Sequence, residues 1–164
     1  MYEPRSDLLR DSDYYEPAVG QNSTGSWRRD LFFEGATQIQ YVTKPLQNLS
    51  LDELELLEPA RQLLSSPNGY TDVAVIAFEK TRFISVLASV NRDRYYVYTG
   101  HGDSFGLVVG NGLVRSGSAR WLSPRDGQYY GESAIDVGVN VTYVDFTPPS
   151  GGNVDNDWLL VLEF

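Results

Sequence analysis

The sequence contains no cysteine and only one histidine, His101, among its 164 residues. The absence of cysteine excludes disulfides, thiolate metal sites and cysteine nucleophiles, and a single histidine cannot build a multi-histidine zinc site. No apolar stretch reaches the roughly 18 residues of a membrane span, and no apolar N-terminal run indicates a signal peptide. We therefore expect a chain made in the cytoplasm, without direct membrane insertion and without a cofactor.

Basic residues are scarce relative to acidic ones. The chain has 13 Lys and Arg against 22 Asp and Glu, which gives a formal net charge of −9. Nucleic acids and anionic membranes bind basic surfaces, so this charge argues against both as partners.

The clearest pattern that is present lies in residues 134–146. Apolar and polar side chains alternate there, which predicts one long β-strand with a buried face and a wet face. Such two-faced strands are typical of antiparallel sheets. The predicted buried face consists of Ile135, Val137, Val139, Val141 and Tyr143.

Short strand and turn patterns fill most of the remaining chain. The Asn111-Gly112 pair between apolar runs predicts a two-residue hairpin. The other predicted strands are residues 37–43, 72–78, 82–90, 94–99, 105–109, 113–122 and 158–164. About eight strands with short, regular connections predict an all-β antiparallel β-sandwich or jelly roll; a barrel is the alternative.

One helix is predicted, over residues 50–65. Ser50 and Glu53 have the spacing of a capping box, which marks a helix N-terminus. Pro59 lies inside the pattern, where a proline removes a backbone donor and clashes with the preceding turn. We therefore expect a kinked helix or two short ones.

Residues 1–36 have no strand or helix period and are predicted to form an extended N-terminal arm, whereas residues 37–164 form the β-sandwich domain. The arm carries Trp27, Phe32 and Phe33, which are costly to leave in water. We expect these aromatic residues to pack on a protein surface, either of the same domain or of a neighbouring subunit. The alternative is an unstructured terminus.

No catalytic set can be assembled from the sequence. His101 precedes Asp103 in a turn, and Ser104 or Ser116 could approach it, but no G-x-S-x-G elbow is present. Paired carboxylates could in principle support glycoside hydrolysis. The candidate carboxylates are Asp126, Glu132, Asp136 and Asp145. We predict no enzyme and no catalytic residue.

Asn153, Asp155 and Asp157 place oxygen ligands at alternate positions, as at the start of a calcium loop. Trp158 stands where that loop requires glycine. A solvated turn is therefore the favoured interpretation, and no metal site is predicted.

Tyrosine is unusually frequent, with 11 residues. Tyr96 and Tyr98 share one face of a predicted strand, where they would line a core or a protein interface. Alternatively, exposed rings such as Tyr96 and Trp121 could form a carbohydrate-binding platform.

The β-domain of residues 37–164 and the aromatic arm, together with the acidic, cysteine-free composition, resemble virion structural proteins of the single jelly-roll type. This resemblance implies a self-assembling capsid protein, located in the virion, whose partners are copies of itself and other structural proteins. The interface residues that we predict are Trp27, Phe32, Phe33, Tyr96 and Tyr98. The alternative function is a carbohydrate- or receptor-binding β-sandwich.

Overall fold

The computed structural model describes residues 34–65, 83–110, 112–151 and 156–164, and their side chains from residue 38 onward. Two helices open this part of the chain: α1 (Glu34–Thr43) and α2 (Leu51–Glu55), with 3₁₀ turns at Lys44–Leu46 and Arg61–Leu63. The strands are β1 (Leu57–Pro59), β2 (Leu64–Ser65), β3 (Ile84–Ser89), β4 (Arg94–Thr99), β5 (Phe105–Val108), β6 (Arg115–Leu122), β7 (Tyr129–Val137), β8 (Tyr143–Phe146) and β9 (Trp158–Glu163).

The strands form two antiparallel sheets. Six strands are ordered β1-β3-β4-β9-β6-β7, and three are ordered β2-β5-β8. The predicted all-β antiparallel sandwich is thereby confirmed.

Strand β9 lies in the middle of the six-stranded sheet, between β4 and β6. Its sequence is apolar on both faces because both faces are covered. Leu160 and Leu162 belong to the core shared with the three-stranded sheet. Leu159 and Val161 belong to a second cluster on the opposite face. The prediction that this final stretch is paired inside the sheet is confirmed.

The second cluster is covered by the helical N-terminal part of the described chain. Val42 of α1, Leu46 and Leu49 pack against it. The domain therefore has three layers: the helical segment, the six-stranded sheet and the three-stranded sheet.

The predicted strand over residues 37–43 is wrong, because these residues belong to helix α1. Seven residues are too few to separate a period of two from a helical period. Tertiary packing decides between them: Val42 packs against the sheet, whereas Ile39, which the alternation with Tyr41 would place on a buried strand face, is 66% exposed.

The long strand predicted over residues 134–146 is also wrong, because it divides into β7 and β8, which belong to different sheets. A turn separates them, in which the backbone N–H of Val141 donates to the carbonyl of Gly138 at 3.0 Å. Gly138 and Asn140 favour turns, and Val139 is 55% exposed instead of buried.

The predicted helix over residues 50–65 is only partly present. The Ser50–Glu53 capping box forms, but α2 ends at Glu55. Pro59 lies instead in the edge strand β1, where its missing N–H is tolerated.

The Asn111-Gly112 hairpin is wrong as well, since β5 and β6 lie in different sheets. Strand β4 has the predicted bounds. The predicted strand at 72–78 and residues 1–33 of the arm lie outside the described residues, so the division at residue 36 stays a prediction. Within the described ranges, no helix is long and apolar enough to cross a membrane.

Candidate functional site: a groove between two strand edges

The sandwich is open on the side where β7 and β8 end their respective sheets. Among the described strands, β7 pairs only with β6, and β8 pairs only with β5. A groove of about 580 Å³ runs between these two edges. Its lining residues are Trp121, Tyr130, Gly131, Ser133, Ile135, Val144, Asp145, Phe146, Thr147 and Pro149.

The floor of the groove is aromatic and rigid. Trp121 and Phe146 are each 7% exposed and belong to the main core. Both contact Phe105, with ring centroids 6.1 and 5.9 Å apart. A ligand in the groove would therefore meet preformed aromatic surface rather than mobile side chains.

Tyr130 stands on the rim and is 41% exposed. Its hydroxyl donates to Asp126 Oδ2 at 2.7 Å, and its ring lies edge-on to Trp158 at 5.4 Å. Asp126 in turn accepts from the backbone N–H of Gln128 at 2.9 Å. The tyrosine ring is therefore held from two sides while one part of it stays accessible.

A β-bulge directs Tyr130 to this position. Tyr130 pairs with Trp121 and Ser133 pairs with Ala119, so β7 has one more residue than β6 across this interval. Gly131 takes up the irregularity with a φ of +59°. Bulges of this kind bend an edge strand and re-aim its side chains.

The groove is nearly uncharged. Asp145 is the one charged residue in its lining. Its carboxylate Oδ1 lies 3.0 Å from the position that a Cβ on Gly106 would occupy. In the three-stranded sheet, Gly106 pairs with Asp145 on one side and with Ser65 on the other. The neighbours Val144 and Phe146 pack against the main core, so Asp145, which alternates with them, lies on the opposite face. The groove thus presents aromatic rings, the hydroxyl groups of Ser133 and Thr147, and main-chain groups of two strand edges.

The hydrogen bond between Tyr130 and Asp126 affects both acidities. Donation to Asp126 raises the pKa of Tyr130. Desolvation alone would raise the pKa of Asp126, but the hydrogen bonds from Gln128 and Tyr130 outweigh it and lower that pKa. The pair is therefore most stable as carboxylate and phenol.

Behind Tyr130, a second network fixes Trp158. Arg125 Nη1 donates to both the carboxylate and the carbonyl of Asp157 at 2.6 Å, and its guanidinium lies 4.8 Å from the centroid of the Trp158 ring. The Tyr98 hydroxyl donates to Asp157 Oδ2 at 3.1 Å. Burial, and then the charge of Asp157, raises the pKa of Tyr98 to about 12.

The carboxylate of Asp157, one of the three suggested calcium ligands, forms an ion pair with Arg125. Asn153 and Asp155, its suggested calcium-binding partners, lie outside the described residues. Within the described ranges, no three His, Asp or Glu side chains are close enough to hold a metal ion.

The structure does not unite the candidate catalytic residues. His101 Nδ1 lies 3.6 Å from Asp103 Oδ1. Ser104 donates to Thr147 at 3.2 Å, and Ser116 donates to Asp136 at 2.6 Å. The four carboxylates suggested for glycoside hydrolysis have separate surroundings. Asp126 contacts Tyr130, Asp136 contacts Ser116, and Asp145 lies next to Gly106. Glu132 is exposed on β7.

Tyr96 and Tyr98 lie on the face of the six-stranded sheet that α1 covers. Tyr96 is 5% exposed, and Tyr98 is half-buried. Their role as interface residues stays a prediction, and Trp27, Phe32 and Phe33 lie outside the described residues. Trp121, which the carbohydrate alternative singled out, lines the groove.

Residues 72–163 match the family model described as "Putative collagen-binding domain of a collagenase". None of the curated proteins compared with the chain matches it. The predicted virion function and self-assembling partners are therefore wrong, because the matched family is one of binding domains. The virion location loses its support with them.

Two solved structures have a similar fold. One, titled "Glycoside hydrolase", is 21% identical with a TM-score of 0.60, and the match covers 92% of this chain and 30% of that chain. The other, a glycoside hydrolase family 5 structure from Bacteroides vulgatus ATCC 8482, is 18% identical with a TM-score of 0.61, and the match covers 92% and 29%. The chain spans about 30% of the length of these structures, and the likeness shows the fold.

Proposed function

Because this chain belongs to the collagen-binding domain family that residues 72–163 match, we propose that it is a noncatalytic module that binds an extended polymer in the groove between β7 and β8. The ligand that we propose first is a collagen-type polypeptide. The observation that carries the proposal is the groove itself, with an aromatic floor between two strand edges that no described strand pairs.

The chemistry of the groove suits a proline-rich chain. Collagen chains have the polyproline II conformation, and proteins recognise such chains in aromatic-lined grooves. Tyr130 and Pro149 provide apolar surface at the rim, and Trp121 provides it at the floor. Proline rings would pack against these surfaces, while the edges of β7 and β8, which no other described strand pairs, would supply main-chain donors and acceptors.

The positions of the carboxylates support a binding role rather than catalysis. Asp126 holds Tyr130, and Asp136 accepts from Ser116. Asp157 is paired with Arg125. Each of these groups has a structural partner, as expected of a scaffold that presents a surface.

A carbohydrate chain is the second candidate ligand. The ring of Tyr130 is 41% exposed, and Ser133 lines the same groove. Exposed tyrosine rings next to hydroxyl groups can stack on sugar rings and bond their hydroxyl groups. The two solved structures of similar fold are titled as glycoside hydrolases, which adds support for this ligand.

The test is a titration of the full chain with a triple-helical collagen peptide and, separately, with a panel of neutral oligosaccharides. Tyr130→Ala should weaken binding about tenfold, because it removes the accessible aromatic ring at the rim of the groove. Tyr143→Ala removes a tyrosine that is 51% exposed but does not line the groove, and should leave binding unchanged.

The outcomes separate the candidates. Tyr130-dependent binding of the collagen peptide supports the first ligand, and Tyr130-dependent binding of a sugar replaces it with the second. Binding that is equally strong in both variants would place the site elsewhere and overturn the groove assignment. No binding to either class would overturn the proposed function.

A further inference from the structure

The described residues do not completely fill the face of the six-stranded sheet that α1 covers. An apolar depression of about 310 Å³ lies between the helical segment and the sheet. Val42 and Leu46 form its helical side, and Leu87, Tyr96 and Tyr98 form part of its sheet side. Such a surface is costly to leave in contact with water.

A second depression, of about 270 Å³, adjoins the first. Val42 and Tyr98 line both, and Gln38 and Ile39 complete the second. Ile39 is 66% exposed, and Phe83, whose ring lies 5.8 Å from that of Tyr98, is 36% exposed. The described residues therefore leave a continuous apolar strip along α1, and strips of this kind mark contact sites.

The chain that leads directly into α1 has the composition to cover this strip. Residues 27–33 read W-R-R-D-L-F-F and contain four large apolar side chains. Phe33 immediately precedes the first residue of α1, Glu34. Val42 is nine residues beyond Phe33, which corresponds to about 13.5 Å along the helix axis at 1.5 Å per residue. Seven extended residues reach about 23 Å, so the segment can return along the helix as far as Val42.

We propose that residues 27–33 pack against this strip within the same chain, with Trp27 and Phe32 covering the surface formed by Ile39, Val42 and Tyr98. The segment would then complete the third layer of the domain on the face opposite to the main core. The predicted interface residues Trp27, Phe32, Tyr96 and Tyr98 would meet each other within one molecule. This docking is independent of the ligand proposed for the groove.

The absence of native cysteine allows a direct test, because introduced cysteines are the only thiols. Asp30→Cys combined with Ser85→Cys keeps all aromatic residues of the segment, and Ser85 is an exposed residue lining the depression. A short bis-maleimide should link the two thiols at least about tenfold faster than the control pair Asp30→Cys and Asn140→Cys, because docking raises their effective concentration. Asn140 lies exposed in the turn between β7 and β8.

Two further variants complete the test. Adding Phe32→Ala and Phe33→Ala to the first pair should abolish the rate advantage, while circular dichroism shows that the sheet content is retained. Ile76→Cys with Ser85→Cys tests whether residues 66–82 cover the strip instead. Equal rates for the first pair and its control, products with the mass of two chains, or rapid linkage only from residue 76 would each overturn the proposal.

Discussion

Tyr130 donates its hydroxyl to Asp126 Oδ2 at 2.7 Å, four residues back in the chain, while the edge of its ring meets Trp158 at 5.4 Å. The turn before β7 thus supplies the residue that orients the rim of the groove. A side chain held in its binding orientation before contact loses less entropy when a ligand arrives.

Removing the acceptor should therefore weaken ligand binding. Asp126→Ala should raise the dissociation constant about 2- to 10-fold, the range that corresponds to a net 0.5–1.5 kcal/mol for one hydrogen bond. Asp126→Asn keeps an acceptor and should restore most of the affinity. Asp136→Ala removes an exposed carboxylate that bonds Ser116 and should have no effect. If Asp126→Ala and Asp136→Ala bind alike, the orienting role of Asp126 is excluded.

The central strand β9 should dominate stability. Leu160 is 0% exposed and lies in the core between the two sheets. Leu160→Ala removes apolar contacts and leaves a cavity, so the free energy of unfolding should fall by about 2–5 kcal/mol. Leu51→Ala makes the same change at a residue that is 78% exposed, and should alter stability by less than about 0.5 kcal/mol. Urea unfolding measures both variants, and similar losses in both would contradict the assignment of the core.

The strands that the sequence predicts well are those whose limits coincide with a change of composition. Strand β4 follows the polar Asn91–Asp93 turn, and β9 is an uninterrupted apolar run, so their bounds can be read directly. Strands β7 and β8 could not be separated, because the alternation continues through Gly138 and Asn140 while the chain crosses to the other sheet. Alternation reports which side chains are apolar, not which sheet a strand joins.

The groove could not be predicted because its walls are distant in sequence and belong to different sheets. Trp121, Tyr130 and Phe146 meet only because β7 and β8 end up as neighbouring sheet edges. The Tyr129-Tyr130-Gly131 run was a usable local signal, since a glycine inside a strand often marks a bulge. The packing of α1 on the six-stranded sheet could not be predicted either. Residues 37–43 alternate like a strand, but they form a helix that packs against that sheet.

Gly117 should tolerate no larger residue. A Cβ at this position in β6 would lie 2.0 Å from the carbonyl oxygen of Glu163 in the neighbouring strand. Gly117→Ala must displace main chain where β6 passes the end of β9, and we expect a loss of about 1–3 kcal/mol in the free energy of unfolding. Gly138→Ala is the matched control, because its nearest contact would be the Val141 Cγ2 atom at 3.8 Å. Equal melting temperatures for the two variants would contradict the close approach of β6 and β9.

Tyr98 should make the domain sensitive to alkali. Burial, together with the charge of Asp157 and the hydrogen bond to it, raises the pKa of Tyr98 to about 12. Its ordinary value in the unfolded chain is about 10. A group whose pKa is raised by folding binds its proton more tightly in the folded state. Its stabilising contribution is therefore complete below pH 10 and disappears as the pH rises from about 10 towards about 12.

Tyr98→Phe removes this titration together with one hydrogen bond. The variant should be less stable than the parent chain at pH 8, but it should lose less further stability between pH 10 and 12. Some dependence on pH should persist in the variant, because burial also raises the pKa values of Tyr95 and Tyr96. Urea unfolding at fixed pH values from 8 to 12 measures both curves. Parallel curves for the two proteins over the alkaline range would show that Tyr98 does not titrate as its contact with Asp157 requires.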